Sequence, residues 1–369
     1  MIPVHGGNVE EIAAAIGRDV GDVVDFSANV NPLGMPDAVK RALAAIASDP
    51  TSVERYPDPR YQDLRAALSV RLGIESDCIA IGNGSAALID AAIRALRPRR
   101  CLLPVPAFSE YRKALELNGV DVVVFPLDPA REFELDLESC VRAAEQRECD
   151  LCIIVNPHNP SGALIRNGDL LNLIERLAGV GCVVLVDEAF IDYVPGQSIV
   201  KATAVSRTAI VLRSLTKFFA IPGMRIGYAA ATATNARAVQ AALPSWPVGT
   251  IEAQAVIAAL DDANYVQRTL SFNARARSEM QRGFHDLGLQ AFPSHANFVL
   301  VDIRPLSESA DALREHLIEY EGIAVRSCSD YDILGDLYVR VAVKSGTDNR
   351  RLLDALAKMK RARERRIVG

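Results

Sequence analysis

At 369 residues, with 50% hydrophobic and 24% charged side chains, the chain has the make-up of a globular protein large enough for two or three cores. A net charge of -5 spread over that length offers no basic face, which argues against nucleic acid or an anionic membrane as partner. The apolar runs fall far short of the ~20 residues of a membrane span, Met1 to Gly7 show no signal-peptide pattern, and seven cysteines without framework spacing fit reduced thiols, so a cytoplasmic location is expected.

Residues 1–50 read as an irregular arm followed by a helix entered through Pro36-Asp37, where proline suits the first helical turn. Short apolar runs then recur at Cys78–Ile81, Cys101–Leu103, Val120–Phe125, Leu151–Val155, Cys182–Val186, Ala209–Leu212 and Ile226–Ala230. Several are apolar throughout rather than alternating, as expected of strands covered on both faces. Helical patterns lie between them at Ser85–Leu96, Phe108–Asn118 and Gly168–Ala178. Cys149 and Cys152 form a C-x-x-C, but with no second pair nearby no metal is expected, and Cys152 reads as a buried strand residue. After Pro247 the chain turns helical from Ile251 to about Leu287, and strand patterns return at Phe298–Val301, Ile323–Arg326 and Leu337–Val343. The expected fold is therefore α/β, a large domain with a mostly parallel, doubly wound sheet plus a smaller α+β domain. The expected division is an arm and helix over 1–50, the large domain over 51–250 and the small one over 251–369.

Three of the buried-strand patterns end in polar residues of a restricted kind. Leu151–Val155 runs into Asn156-Pro157-His158-Asn159-Pro160-Ser161-Gly162, Cys182–Val186 into Asp187-Glu188, and Ala209–Leu212 into Arg213-Ser214-Leu215-Thr216-Lys217. Ligands of open α/β sheets bind beyond the carboxyl ends of the strands, so the three tips are expected to converge. Singly they read as a turn, a helix cap and a surface lysine; together they read as a site. Val183 to Glu188 also resembles the Walker B strand of an NTPase. That enzyme needs G-x-x-x-x-G-K-[ST] to cradle phosphates, and the chain contains no Gly-Lys-Ser/Thr.

Pyridoxal 5′-phosphate is the cofactor that uses such a set. It needs a lysine amine for a Schiff base, a carboxylate to keep its ring nitrogen protonated, and donors for its phosphate. Lys217 and Asp187 supply the first two. The Gly84-Ser85-Ala86 turn at a helix start, the hydroxyls of Ser214 and Thr216, and the fork of Arg225 supply the third.

Ser-x-Thr-Lys followed by Gly223-Met224-Arg225, with the arginine eight residues after Lys217, resembles the fold-type I pyridoxal-phosphate enzymes of the aminotransferase superfamily, and the likeness spans nearly the whole chain. The resemblance implies Asn159 on the ring hydroxyl and Phe108 of Pro106-Ala107-Phe108 stacked on the ring. It also implies Tyr56 of Arg55-Tyr56-Pro57-Asp58-Pro59 reaching the cofactor phosphate of a neighbouring subunit, and hence a homodimer.

Two branches stand out, the histidinol-phosphate aminotransferases and the L-threonine-O-3-phosphate decarboxylases of cobalamin biosynthesis. The opening His5-Gly6-Gly7-Asn8, Asp25-Phe26-Ser27-Ala28-Asn29-Val30-Asn31-Pro32-Leu33-Gly34, Asp187-Glu188-Ala189-Phe190 and Val325-Arg326-Ser327-Cys328-Ser329 are similar to the decarboxylases. Phe190 stands where many aminotransferases carry a tyrosine whose hydroxyl contacts the cofactor. The resemblance further implies Arg340 on the carboxylate of a small phosphorylated amino acid, Arg326 on its phosphate, and His5, Gly6 and Asn29 closing the pocket from the arm. Decarboxylation is the expected reaction and transamination the alternative. A non-catalytic regulator of the same fold is not expected, since no room for its DNA-binding helices exists before His5 or after Gly369.

Overall fold

The computed structural model describes residues 7–368. Where an irregular arm was expected, α1 forms over Val9–Ile16 and buries Ile12 and Ala13 against Val23, Ile318 and Ala324. A short strand β1 (Val24–Asp25), α2 (Asp37–Ser48, with Pro36 before its first turn) and α3 (Gln62–Leu72) follow.

The central sheet has seven strands: β2 (Ile79–Gly82), β3 (Arg100–Val105), β4 (Asp121–Pro126), β5 (Leu151–Val155), β6 (Val183–Asp187), β7 (Ala209–Ser214) and β8 (Gly227–Ala230). Their order is β2-β8-β7-β6-β5-β3-β4, parallel except for β8, which runs against both neighbours. Both faces are dry. Cys152, Ile154, Val184, Val186, Ala209 and Val211 point into one core, and Leu151, Ile153, Leu185, Ile210 and Leu212 into the other. That is why these strands read as unbroken apolar runs. The helices α4 (Gly84–Leu96) and α5 (Ser109–Leu117) help cover the second face.

Beyond Pro247 the expected single helical run is two helices, Thr250–Leu260 and Ala263–Asp286. The break falls at Asp262, whose carboxylate accepts the Tyr265 amide and starts the second helix. A three-stranded antiparallel sheet follows, with β9 (Phe298–Asp302) and the later β11 (Arg326–Ser327) flanking β12 (Tyr338–Ala342). The expected strand Ile323–Arg326 divides. β10 (Ile323–Ala324) pairs in parallel with β1 of the arm, and β11 pairs with β12. Phe26 of the arm shares a core with Phe284, Val299, Val325, Val341 and Leu352.

Among the described residues no helix is long and apolar enough to cross a membrane, and no cluster of His, Cys, Asp or Glu is placed to hold a metal. All seven cysteines, Cys149 and Cys152 included, are buried free thiols.

Candidate active site

Sheet register brings the polar strand tips together. Val155, Asp187 and Leu212 are successive partners across β5, β6 and β7. One step on, the Asn156 amide donates to Asp187 O at 2.9 Å and the Glu188 amide to Leu212 O at 2.8 Å. Because β8 runs antiparallel, its first residue Gly227 sits opposite both Ser214 and Gly82. The loops carrying Asn159, Asp187, Lys217, Arg225 and Gly84 therefore all leave the same edge of the sheet.

Lys217 Nζ donates to Ser214 Oγ at 3.0 Å, and Ser214 Oγ is 2.9 Å from Thr216 Oγ1. Burial pulls the Lys217 amine down to about 8; the Asp187 carboxylate opposes the shift, and the Arg225 and Arg340 charges add to it. Those couplings place one anion and two cations around a single amine. Burial raises Asp187, while the Tyr111 hydroxyl, 2.6 Å from Oδ2, and the Ala189 amide, 2.8 Å from Oδ1, hold its charge. Behind the tips a buried ion-pair network ties β6 to β7. Arg213 reaches Glu188 Oε2 at 3.2 Å and Asp192 Oδ1 at 2.6 Å.

The residues expected to take the cofactor phosphate lie close together. Gly84 opens α4 at φ +74°, and a Cβ there would stand 3.2 Å from Arg225 Nη2. The first amides of α4, the Arg225 fork and the Ser214–Thr216 hydroxyls thus share one corner, with Ser85 and Ala86 in the first turn. Phe108 stands immediately before α5, edge-on to Tyr111 with centroids 6.0 Å apart. A buried amine, a buried carboxylate and an anion corner at neighbouring strand tips fit pyridoxal phosphate.

On the other side stand the arginines. Arg326 and Arg340 are direct cross-strand partners on β11 and β12. Like charges so placed repel, and each guanidinium is held by acceptors of its own. Arg340 Nη1 donates to Asn159 Oδ1 at 2.7 Å and its Nη2 to Ser27 O at 3.1 Å. Arg326 donates to Asp330 Oδ2 at 2.7 Å and to Ser327 O at 2.6 Å. Asn29 is buried and its side-chain nitrogen has no hydrogen-bond partner among the described residues. Phe190 lies with its ring 5.8 Å from Lys217 Nζ and packs edge-on against Phe298. His5 and Gly6 lie outside the described residues. Tyr56 stands apart from these contacts: it is 81% exposed and stacked on Trp246 at 4.6 Å.

Three participants escaped the sequence reading. Tyr111 steadies Asp187. Asn31 anchors the Lys217 loop, its backbone amide donating to Lys217 O at 3.1 Å and its Nδ2 within hydrogen-bonding distance of Phe218 O, Tyr265 OH and Thr269 Oγ1. His158 joins two loops, with Nδ1 2.7 Å from Ser161 Oγ and Nε2 2.9 Å from Pro106 O, just before Phe108. The one available signal was His158 lying next to Asn159.

Comparison with known proteins agrees with this geometry. Residues 21–357 match the family of class I and II aminotransferases. The chain is 35% identical to the threonine-phosphate decarboxylase of Salmonella typhimurium over 95% of each chain. It is 30% identical to the histidinol-phosphate aminotransferase of Methanocella arvoryzae, covering 98% of this chain and 96% of that one. Among solved structures, the histidinol-phosphate aminotransferase of Clostridium acetobutylicum superposes with a TM-score of 0.83 at 28% identity, covering 91% of this chain and 99% of that one. With the sheet, the buried lysine and the anion corner in place, the chain belongs to the class I and II aminotransferase family and is a pyridoxal-phosphate-dependent enzyme of fold type I.

Proposed function

We propose that the protein decarboxylates L-threonine O-3-phosphate to (R)-1-amino-2-propanol O-2-phosphate and CO2, a step in making cobalamin. The observation that carries the substrate class is the cross-strand pair Arg326 and Arg340, two cations facing the two anionic ends of a phosphorylated amino acid. The choice of decarboxylation rests on the 35% identical relative and on Phe190, which brings a ring and no hydroxyl beside Lys217.

When bound, pyridoxal phosphate supplies an electrophilic carbon for the substrate amine and a protonated ring that accepts the electron pair released at Cα. Lys217 would hold the cofactor, and its buried amine, lowered to a pKa of about 8, would carry protons near neutrality. Asp187 would hold the ring nitrogen, and Asn159 the ring oxygen. Phe108 would stack on the ring, and Gly84, Ser85, Ala86, Ser214, Thr216 and Arg225 would take its phosphate. Arg340 grips the substrate carboxylate, Arg326 its phosphate, and Asn29 closes the pocket with His5 and Gly6. Decarboxylation requires that the pocket hold the bond from Cα to the carboxylate, rather than the Cα–H bond, for cleavage, and a proton then replaces the lost CO2 at Cα.

We assign the arm and its helix to 1–50, the cofactor domain to 51–250 and the small domain to 251–369, in a cytoplasmic homodimer. The exposed stack of Tyr56 on Trp246 supports a partner-facing surface from which Tyr56 reaches the neighbouring cofactor phosphate. The histidinol-phosphate aminotransferase relatives favour a second reading, transamination.

The two readings separate in one assay. The holoenzyme is incubated with L-threonine O-3-phosphate and no keto acid, and CO2 and aminopropanol phosphate are measured. Stoichiometric formation of both is expected. Absence of both, together with glutamate formed from histidinol phosphate and 2-oxoglutarate, would overturn decarboxylation.

A further inference from the structure

The two arginines are held differently. Arg340 donates to neutral acceptors, the Asn159 side-chain oxygen and the Ser27 carbonyl. Arg326 donates to a carboxylate, with Nη2 2.7 Å from Asp330 Oδ2. The Arg326 side chain is 7% exposed and is fixed from below by the Tyr331 ring, 5.3 Å from its guanidinium carbon, and by Ser327 O. Asp330 is 34% exposed and sits on the segment that follows β11. It lines a cleft of about 180 Å³ together with Phe108, Ser109, Arg112 and Lys113. In the same cleft Asp332 is engaged by Arg112 of α5 at 2.7 Å, which fastens this segment to the helix that Phe108 precedes. The two acidic residues are thus sorted, with Asp332 holding the segment to α5 and Asp330 holding Arg326.

We propose that Asp330 is the counter-ion that the substrate's phosphate displaces from Arg326, so that this carboxylate sets how strongly an anion must bind to enter. The inference rests on the assignment of Arg326 to the anionic tail. A buried guanidinium needs an opposite charge, and Asp330 provides it while no substrate is present. A second anion on the same fork repels the first. The partner nearer to water yields, which is Asp330 rather than the packed Arg326. Displacement subtracts equally from the binding of every anion. A monoanionic carboxylate exchanges like for like and gains little. A phosphate ester, with three oxygens and up to two charges, binds strongly enough to complete the exchange. Arg340, held by neutral groups, carries no such threshold and suits the substrate carboxylate.

The test titrates the holoenzyme with inorganic phosphate by calorimetry, a readout that does not depend on which reaction the enzyme performs. Asp330→Asn should tighten phosphate binding about tenfold, the low end for removing a competing charge-assisted hydrogen bond at a half-exposed site. Asp330→Ala should tighten it similarly. In an Arg326→Gln background the gain should vanish. Unchanged or weaker phosphate binding in both Asp330 variants overturns the proposal, as does a gain that persists without Arg326. Failure of the decarboxylation assay alone would leave this result standing.

Discussion

Tyr111→Phe removes one hydroxyl from a ring that is 2% exposed and leaves its packing against Phe108 in place. The lost contact is the 2.6 Å bond to Asp187 Oδ2, donated to a carboxylate whose charge burial already disfavours. A hydrogen bond to a charged group contributes ~1.5–3 kcal/mol. About 2 kcal/mol of that is expected here, lowering the melting midpoint of the apoenzyme by about 3 °C for a chain of this size. The pH dependence has a defined sign. Burial raises the folded-state pKa of Asp187 above its unfolded value, so its ionised form costs stability at neutral pH, and the cost fades as pH falls through the folded pKa. Without Tyr111 that pKa rises further, so the deficit is largest at neutral pH and shrinks on acidification. Differential scanning calorimetry across that range measures it. A variant as stable as the parent at neutral pH, or a deficit that grows in acid, refutes this account of Asp187.

Other expectations follow from neighbouring residues. The rate of cofactor recapture by the apoenzyme should climb with pH through about 8, where the Lys217 amine loses its proton, as followed by the absorbance of the bound cofactor; a climb centred near the usual lysine value contradicts its burial. Burial holds His158 neutral down to about 4, so its contribution to stability is lost as pH falls from about 6.5 through about 4, about 3 kcal/mol in all. His158→Gln should flatten that acid limb in urea titrations, and an unaltered limb counts against it. Gly162→Ala places a Cβ at φ +82°, 2.9 Å from Ser294 Cα and overlapping the Ser294 side chain. It should destabilise by ~1–3 kcal/mol through overpacking, visible as a lowered midpoint, whereas a neutral result means the two segments separate easily.

The strands that carry the site were readable because both faces of each are buried, which removes the polar alternation and leaves apolar runs ending in Asn156, Asp187 and Ser214. Lys217, Asp187 and Arg225 were readable because their spacing is local or because the tips of adjacent strands converge. The remainder depends on distant pairings. Tyr111 meets Asp187 across 76 residues of chain, and Asn31 meets Phe218 across 187. No local pattern announces either bond. α1 was missed because eight residues after a Gly-Gly pair give too little periodicity, and its stability comes from packing on Ile318 and Ala324. The run Ile323–Arg326 looked like one strand, yet its halves serve β1 and β12. Nor could the sequence show that Arg326 is already paired, since a carboxylate four residues on is unremarkable outside a helix.

The proposed chemistry centres on one amine, that of Lys217. Reducing the holoenzyme with borohydride and mapping the modified peptide by mass spectrometry tests it directly. The account predicts the pyridoxyl group on Lys217, within the peptide that carries Ser214 and Thr216. Attachment to any other lysine, or no covalent label on protein that retains its cofactor, would contradict it.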